Sequence, residues 1–195
     1  MKIDTAELYR SIAKSTIGNK RVQTVARNRF EALRPELLKE FDDHPVTQEV
    51  RNGPGAANIS NTLDGQGDLF SFIGFEENEN PTAEVRAAID EGTRLVMDNS
   101  TPTIQSDGIL YKFSVTIPTE AIEAASPLPF ESGQSWVTGI EKGISGFSQY
   151  LAGYFKSSRS GGGIQTSNNV RGGEFKTRGY ITEIYRNFAA KFKRK

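Results

Sequence analysis

The chain has 195 residues, with 24 Lys and Arg against 24 Asp and Glu, one His and no Cys. Disulfides and thiolate metal sites are thereby excluded, which fits a reducing cytoplasm, and no apolar run approaches the roughly 18 residues that cross a bilayer. The neutral total hides a sorted distribution: residues 1–34 carry eight Lys/Arg against three Asp/Glu, residues 35–155 six against nineteen, and residues 156–195 ten against two. An acidic body between two basic ends can satisfy its own charges or use one end on a neighbouring subunit, so assembly is expected ahead of catalysis.

At about 150 residues per domain the chain is one domain, long enough to bury about 70% of its unfolded surface without staples. The first 30 residues are charged and lack an apolar h-region, so no secretory signal is expected. Asp4 and Glu7 resemble a capping box, opening a first helix over Thr5 to Thr16 that stops near Gly18. Asn19 then caps a second helix, in which Val22, Ala26, Leu33, Leu37 and Phe41 share one stripe while Lys20, Arg21, Arg27, Arg29 and Arg34 stay wet. Pro35 is expected to kink or restart it. His44 before Pro45 starts a further short helix that closes at Asn52-Gly53.

Residues 53–67 are rich in Gly, Pro, Asn and Ser and predict an irregular loop whose length hints at a contact role. Leu69 to Phe75 predicts a buried strand. Asn80-Pro81 opens a helix running to about Asp98. Ile109, Tyr111, Phe113, Val115 and Ile117 alternate with Leu110, Lys112, Ser114 and Thr116, the period of a half-buried strand, and Ser106-Asp107-Gly108 predicts a hairpin with Thr103–Gln105. Thr119 to Ala125 forms a helical turn. Trp136, Ile140, Ile144, Phe147, Leu151 and Tyr154 keep one helical stripe, against the cost of about 1 kcal/mol for each interior Gly. Residues 156–179 contain six Gly and four Ser and predict a flexible arm or a weakly specified hairpin. The last helix places Ile181, Ile184, Tyr185, Phe188, Ala189 and Phe192 on one face.

The fold class expected is α+β, a small antiparallel sheet flanked by amphipathic helices. A core domain spans 1–155, followed by the Gly/Ser-rich arm over 156–179 and a basic amphipathic helix over 180–195.

No catalytic, cofactor or metal residues are expected, and the chain is not read as an enzyme. His44 beside Asp42 and Asp43 lacks the further ligands of a zinc site and reads as a helix cap. No Ser sits in a Gly-x-Ser-x-Gly elbow. Gly161-Gly162-Gly163 has no Gly-Lys-Ser/Thr after it and reads as a linker. Glu76, Glu77 and Glu79 read as a solvated turn. Phe175, Tyr180, Tyr185, Phe188 and Phe192 lie among basic residues as in single-strand binders, yet most of them share one helical stripe, which favours packing. The interface candidates are Ile181, Ile184, Tyr185, Phe188 and Phe192, with Arg159 and Arg171 on the arm.

A basic amphipathic N-terminal helix leads into a Pro/Gly loop carrying Ser60-Asn61-Thr62-Leu63, then a hydrophobic strand, a helix and an antiparallel hairpin. The strings Phe41-Asp42-Asp43-His44-Pro45-Val46-Thr47, Leu69-Phe70-Ser71-Phe72-Ile73-Gly74-Phe75, Trp136-Val137-Thr138-Gly139-Ile140-Glu141-Lys142-Gly143 and Tyr180-Ile181-Thr182-Glu183-Ile184 have the texture of phage structural proteins. In this the chain resembles the neck, or tail-completion, proteins of tailed bacteriophages. The resemblance implies a virion protein assembled in the host cytoplasm as a homo-oligomeric ring, hexameric or dodecameric, between capsid portal and tail. Its partners would be other neck, portal or tail proteins, with DNA passing through the lumen without specific binding and no membrane involved. Nucleic-acid binding by the basic C-terminal tail is the alternative.

Overall fold

The computed structural model of the chain describes residues 5–65, 67–98, 102–105, 108–129, 131–142, 169–170 and 173–193. The fold is α+β, with eight helices and four two-stranded antiparallel ladders among these residues. This is the class expected from the sequence, its antiparallel sheet present as four separate two-stranded ladders among the described residues.

α1 (Thr5–Lys14) and α2 (Thr16–Asp43) are divided at Ser15. The expected division at Gly18 does not occur: the amide of Asn19 bonds the Ser15 carbonyl at 3.1 Å and Gly18 lies inside α2. Pro35 likewise does not restart the helix, which runs through it; Leu37 and Phe41 beyond it are fully buried, and that packing outweighs one lost backbone bond. Only the second half of α2 contributes to the core. From Asn19 to Arg29 no residue is buried, whereas Phe30, Leu37 and Phe41 are.

α3 (Pro45–Arg51) begins at His44, whose Nδ1 accepts the Val46 amide at 3.3 Å, and ends at Asn52 before Gly53 at φ +76°. Leu69 to Ile73 is a helix, α4, not the expected strand. Asp68 caps it by accepting the Ser71 amide at 2.7 Å, and Gly74 closes it at φ +89°. Five residues are too few for apolar content alone to separate the two periods.

α5 (Pro81–Gly92) is shorter than expected, and Arg94–Met97 is a strand, β1. A Cβ on Gly92 would lie 2.4 Å from the Pro118 side chain, and Thr93 turns to extended backbone. The chain therefore leaves the helix where α5 meets the following segment. The expected strand over 109–117 is two strands. β3 (Gly108–Leu110) pairs with β2 (Thr103–Gln105) in the predicted hairpin, while β4 (Phe113–Thr116) pairs with β1, Leu95 opposite Val115. α6 (Thr119–Ala124) follows, then β5 (Pro127–Leu128) against β6 (Glu131–Ser135), and α7 (Trp136–Lys142). The remainder of the helical stripe predicted beyond Ile140 lies outside the described residues. So do most of the arm, Gly161 to Gly163, Arg159 and Arg171; of the arm, β7 (Asn169–Val170) pairs with β8 (Gly173–Glu174).

α8 (Ile181–Lys193) is the predicted last helix, but it is no separate unit. Tyr180, Ile184 and Phe188 are fully buried in the cluster that holds Leu37, Phe41, Val46, Val50, Val85, Ile89, Trp136 and Ile140. The phenyl rings of Phe30 and Phe188 meet edge to face at 6.0 Å, and Phe41 stacks on Tyr180 at 5.9 Å. Four of the interface candidates, Ile181, Ile184, Tyr185 and Phe188, are thus core residues of their own chain, and Phe192 packs half-buried against the same cluster. The stripe has its own core to fill, and burying each such side chain contributes roughly 1.5–3 kcal/mol.

Candidate functional site

The loop expected from residues 53–67 is organised around buried carboxylates. Glu49, fully buried on α3, accepts the Asn58 side-chain amide at 2.7 Å and the Leu69 amide at 2.9 Å on one oxygen, and the Ser60 amide at 3.1 Å on the other. Asn58 Oδ1 accepts the amides of Leu63 and Gly65, at 3.0 and 3.1 Å. Asp68 accepts the amide of Gly55 at 3.0 Å. Loop backbone buried without secondary structure needs such partners. The C-terminal segment closes over the loop: Arg178 donates to the Ser60 carbonyl at 2.6 Å and the Lys176 amide to that of Thr62 at 2.7 Å. These bonds are spent inside the chain, so the loop is a scaffold.

His44 and Asp42 are likewise committed. Nδ1 of His44 accepts the cap bond, and its ring lies 4.9 Å from that of Tyr180. Burial first, and Arg178 second, push its pKa below the ordinary value. Asp42 bridges Arg51 at 2.7 Å and Arg86 at 3.0 Å. Partial burial works to raise its pKa, and the two guanidinium groups outweigh it, leaving the carboxyl below the ordinary range. Among the described residues no group of three or more His, Asp or Glu is placed to hold a metal ion, and no helix is long and apolar enough to cross a membrane.

What remains open is a groove of about 780 Å³ between α1, the first half of α2, the β3–β4 segment and the end of α8. Its apolar lining includes Ile12, Val22, Ala26, Ile109, Phe113 and Phe192. Two further lining side chains are conspicuously wet for their type, Val25 at 65% exposure and Leu110 at 45%. Leu8, Ile104 and Ile117 are also exposed. An apolar groove whose lining side chains are this exposed marks an interaction site. Arg21 and Arg29 line the groove; Arg29 lies 5.8 Å from the Phe192 ring centre, a cation–π contact. The Tyr111 hydroxyl, also in the lining, is buried without a hydrogen-bond partner.

Ion pairing divides along α2. Arg34 pairs with Glu31 and Asp90, Lys39 with Asp43, and Glu36 and Glu40 with Lys191. Lys20, Arg21, Arg27 and Arg29, in the half without buried residues, form no ion pair among the described residues. The counterpart is acidic. Glu76, Glu77, Glu79, Glu84, Glu91, Glu120 and Glu123 are exposed and have no cationic partner among the described residues.

The sequence pattern placed Val22 and Ala26 on the same stripe as Leu37 and Phe41 and so assigned them to the core. The signal that separates them is the density of cations: four of the ten residues from Lys20 to Arg29 are Lys or Arg, too many for a stretch packed against its own core. Comparison of the chain with protein-family models, with curated proteins and with solved structures found no match.

Proposed function

We propose that this protein is a structural component of a tailed-bacteriophage neck, joining copies of itself head to tail into a ring between portal and tail. The observation that carries the reading is the paired incompleteness of the surface. Among the described residues an arginine-rimmed apolar groove has no occupant, and a set of exposed carboxylates on α5, α6 and the turn before α5 has no cation. Complementary patches at different places on one surface make heterologous contacts, which close into a ring where the rotation between neighbours divides a full turn. The sequence resemblance to neck proteins supplies the biological setting.

The alternative, nucleic-acid binding by the C-terminal tail, needs aromatic faces for bases. Tyr180, Tyr185 and Phe188 are buried, and Phe175 lies parallel to Phe72 at 5.7 Å, so four of the five rings are spent within the fold and only Phe192 borders the open groove. Native mass measurement tests the proposal: a discrete oligomer supports it, and a monomer at assembly concentrations sinks it. A single-strand or duplex binder would instead show affinity falling with salt at a log-log slope of about −0.9 per phosphate on duplex DNA.

A further inference from the structure

The occupant of the groove follows from what α2 already does in its own chain. Its second half carries α5 alongside it, through Arg34 with Asp90 at 2.9 Å and Asp42 with Arg86 at 3.0 Å. These pairs use one edge of α5, and Val85 and Ile89 fill its inner face. The outer face is left exposed: Ala83 and Ala87 at its centre, with Glu84 and Glu91 together along the edge away from Arg86 and Asp90. Small residues bordered on one side by a row of carboxylates form a helix face that enters an apolar groove closely while its charges reach one rim.

The spacing agrees. Arg21 and Arg29 are eight residues apart on one helix, about 12 Å along its axis, and Glu84 and Glu91 are seven apart, about 10–11 Å. The Tyr111 hydroxyl adds a buried donor in need of an acceptor, which a carboxylate provides. Nothing in the chain supplies that acceptor among the described residues, while Glu84 and Glu91 are free of cations there.

We infer that the groove between α1, the first half of α2 and the β3–β4 segment is the docking site for the outer face of α5 from a second copy of this chain, with Glu84 and Glu91 seated against Arg21 and Arg29. This rests on the self-assembly reading above and names its contact. Apolar burial of Val25, Leu110 and Phe192 supplies the affinity, and the charge rows set the register and exclude other partners.

Charge reversal tests it, because all four side chains are exposed and their replacement leaves the core intact. The groove variant Arg21→Glu/Arg29→Glu and the helix variant Glu84→Arg/Glu91→Arg are each compared with the unaltered chain by sedimentation velocity, with circular dichroism melts to verify folding. Each variant alone is expected to lose self-association by on the order of 100-fold. The two mixed, or all four changes in one chain, are expected to restore it, since reversed groove then meets reversed helix. Association of the groove variant at unaltered strength overturns the inference and leaves the ring reading standing. Failure of the mixture and of the fourfold variant to reassemble excludes α5 as the occupant. A monomeric unaltered chain removes the ring reading as well. Retention of a nucleic acid by the unaltered chain, lost in the groove variant without any oligomer, assigns the groove to phosphate instead of a second copy.

Discussion

The hydroxyl oxygens of Thr47 on α3 and Tyr180 before α8 lie 2.6 Å apart in the buried centre of the fold, although 133 residues separate them in the chain. Tyr180 has no exposed surface, and burial pushes its phenol well above the ordinary range despite the opposing bond to Thr47. Tyr185, one turn on, is bonded to Thr93 and is pushed up to about 12 by burial. The segment before α8 and α8 itself therefore share one core with α3 and the end of α5, and the C-terminal helix is a condition of folding before it is anything else.

Deleting residues 178–195 is accordingly expected to abolish cooperative unfolding in urea, and Phe188→Ala to destabilise the chain by about 3–5 kcal/mol, the range for a large buried side chain cut to methyl. Circular dichroism with urea titration checks both. A truncated chain that keeps a sharp transition and loses only its ability to associate would place the helix on a neighbour.

Glu49 holds the 53–68 loop through three donors, two of them backbone amides. Glu49→Gln presents an NH₂ where an acceptor is required and is expected to cost about 2 kcal/mol or more, since buried donors left unpaired cost about 1–3 kcal/mol each. Hydrogen exchange checks the location of the damage: the amides of Ser60, Leu63 and Leu69 should lose protection, while those of α5 keep theirs at the depth set by the new global stability.

Much of this organisation was legible in the chain, and the places where it was not have physical causes. The stop at Asn52-Gly53, the start at Asn80-Pro81, the 103–110 hairpin and the amphipathic last helix each carry local chemistry that one segment suffices to express. Leu69 to Ile73 misled because a run of five mostly apolar residues satisfies either period, and the deciding group, the Asp68 cap, sits outside the apolar run. The end of α5 was set by a tertiary contact, Gly92 against Pro118, that no local pattern contains. The groove was hidden for the opposite reason: Val22 and Ala26 continue the core stripe faithfully, but among the described residues α1, the β3–β4 segment and the end of α8 stand around them without closing over them.

That contact between Gly92 and Pro118 makes its own prediction. A Cβ at position 92 would stand 2.4 and 2.7 Å from the Pro118 Cβ and Cγ atoms, and a proline ring cannot rotate away. Gly92→Ala should therefore destabilise by about 1–3 kcal/mol, as overpacking does, even though alanine favours helix. Pairing it with Pro118→Ala should recover part of the loss. A stabilised Gly92→Ala variant in thermal melts would show that α5 and α6 do not pack as closely as this.

The buried imidazole of His44 sets a pH dependence whose sign is fixed by its environment. Its folded pKa is depressed below the ordinary 6.5, first by burial and then by Arg178, against weaker opposing pulls from Glu183 and Glu40. The unfolded chain therefore binds a proton that the folded site refuses, and the stabilising contribution is complete above about pH 6.5 and is lost as pH falls through the depressed value. Protonation also removes the Nδ1 lone pair that accepts the Val46 amide, so the cap of α3 goes with it. The variant His44→Asn keeps a capping acceptor but cannot titrate. Between pH 7 and 5.5, above the window in which Asp42 protonates, the urea midpoint of the unaltered chain should drop while that of His44→Asn stays level. Parallel slopes for the two would mean that the imidazole is reached by water and takes up its proton without opening the core.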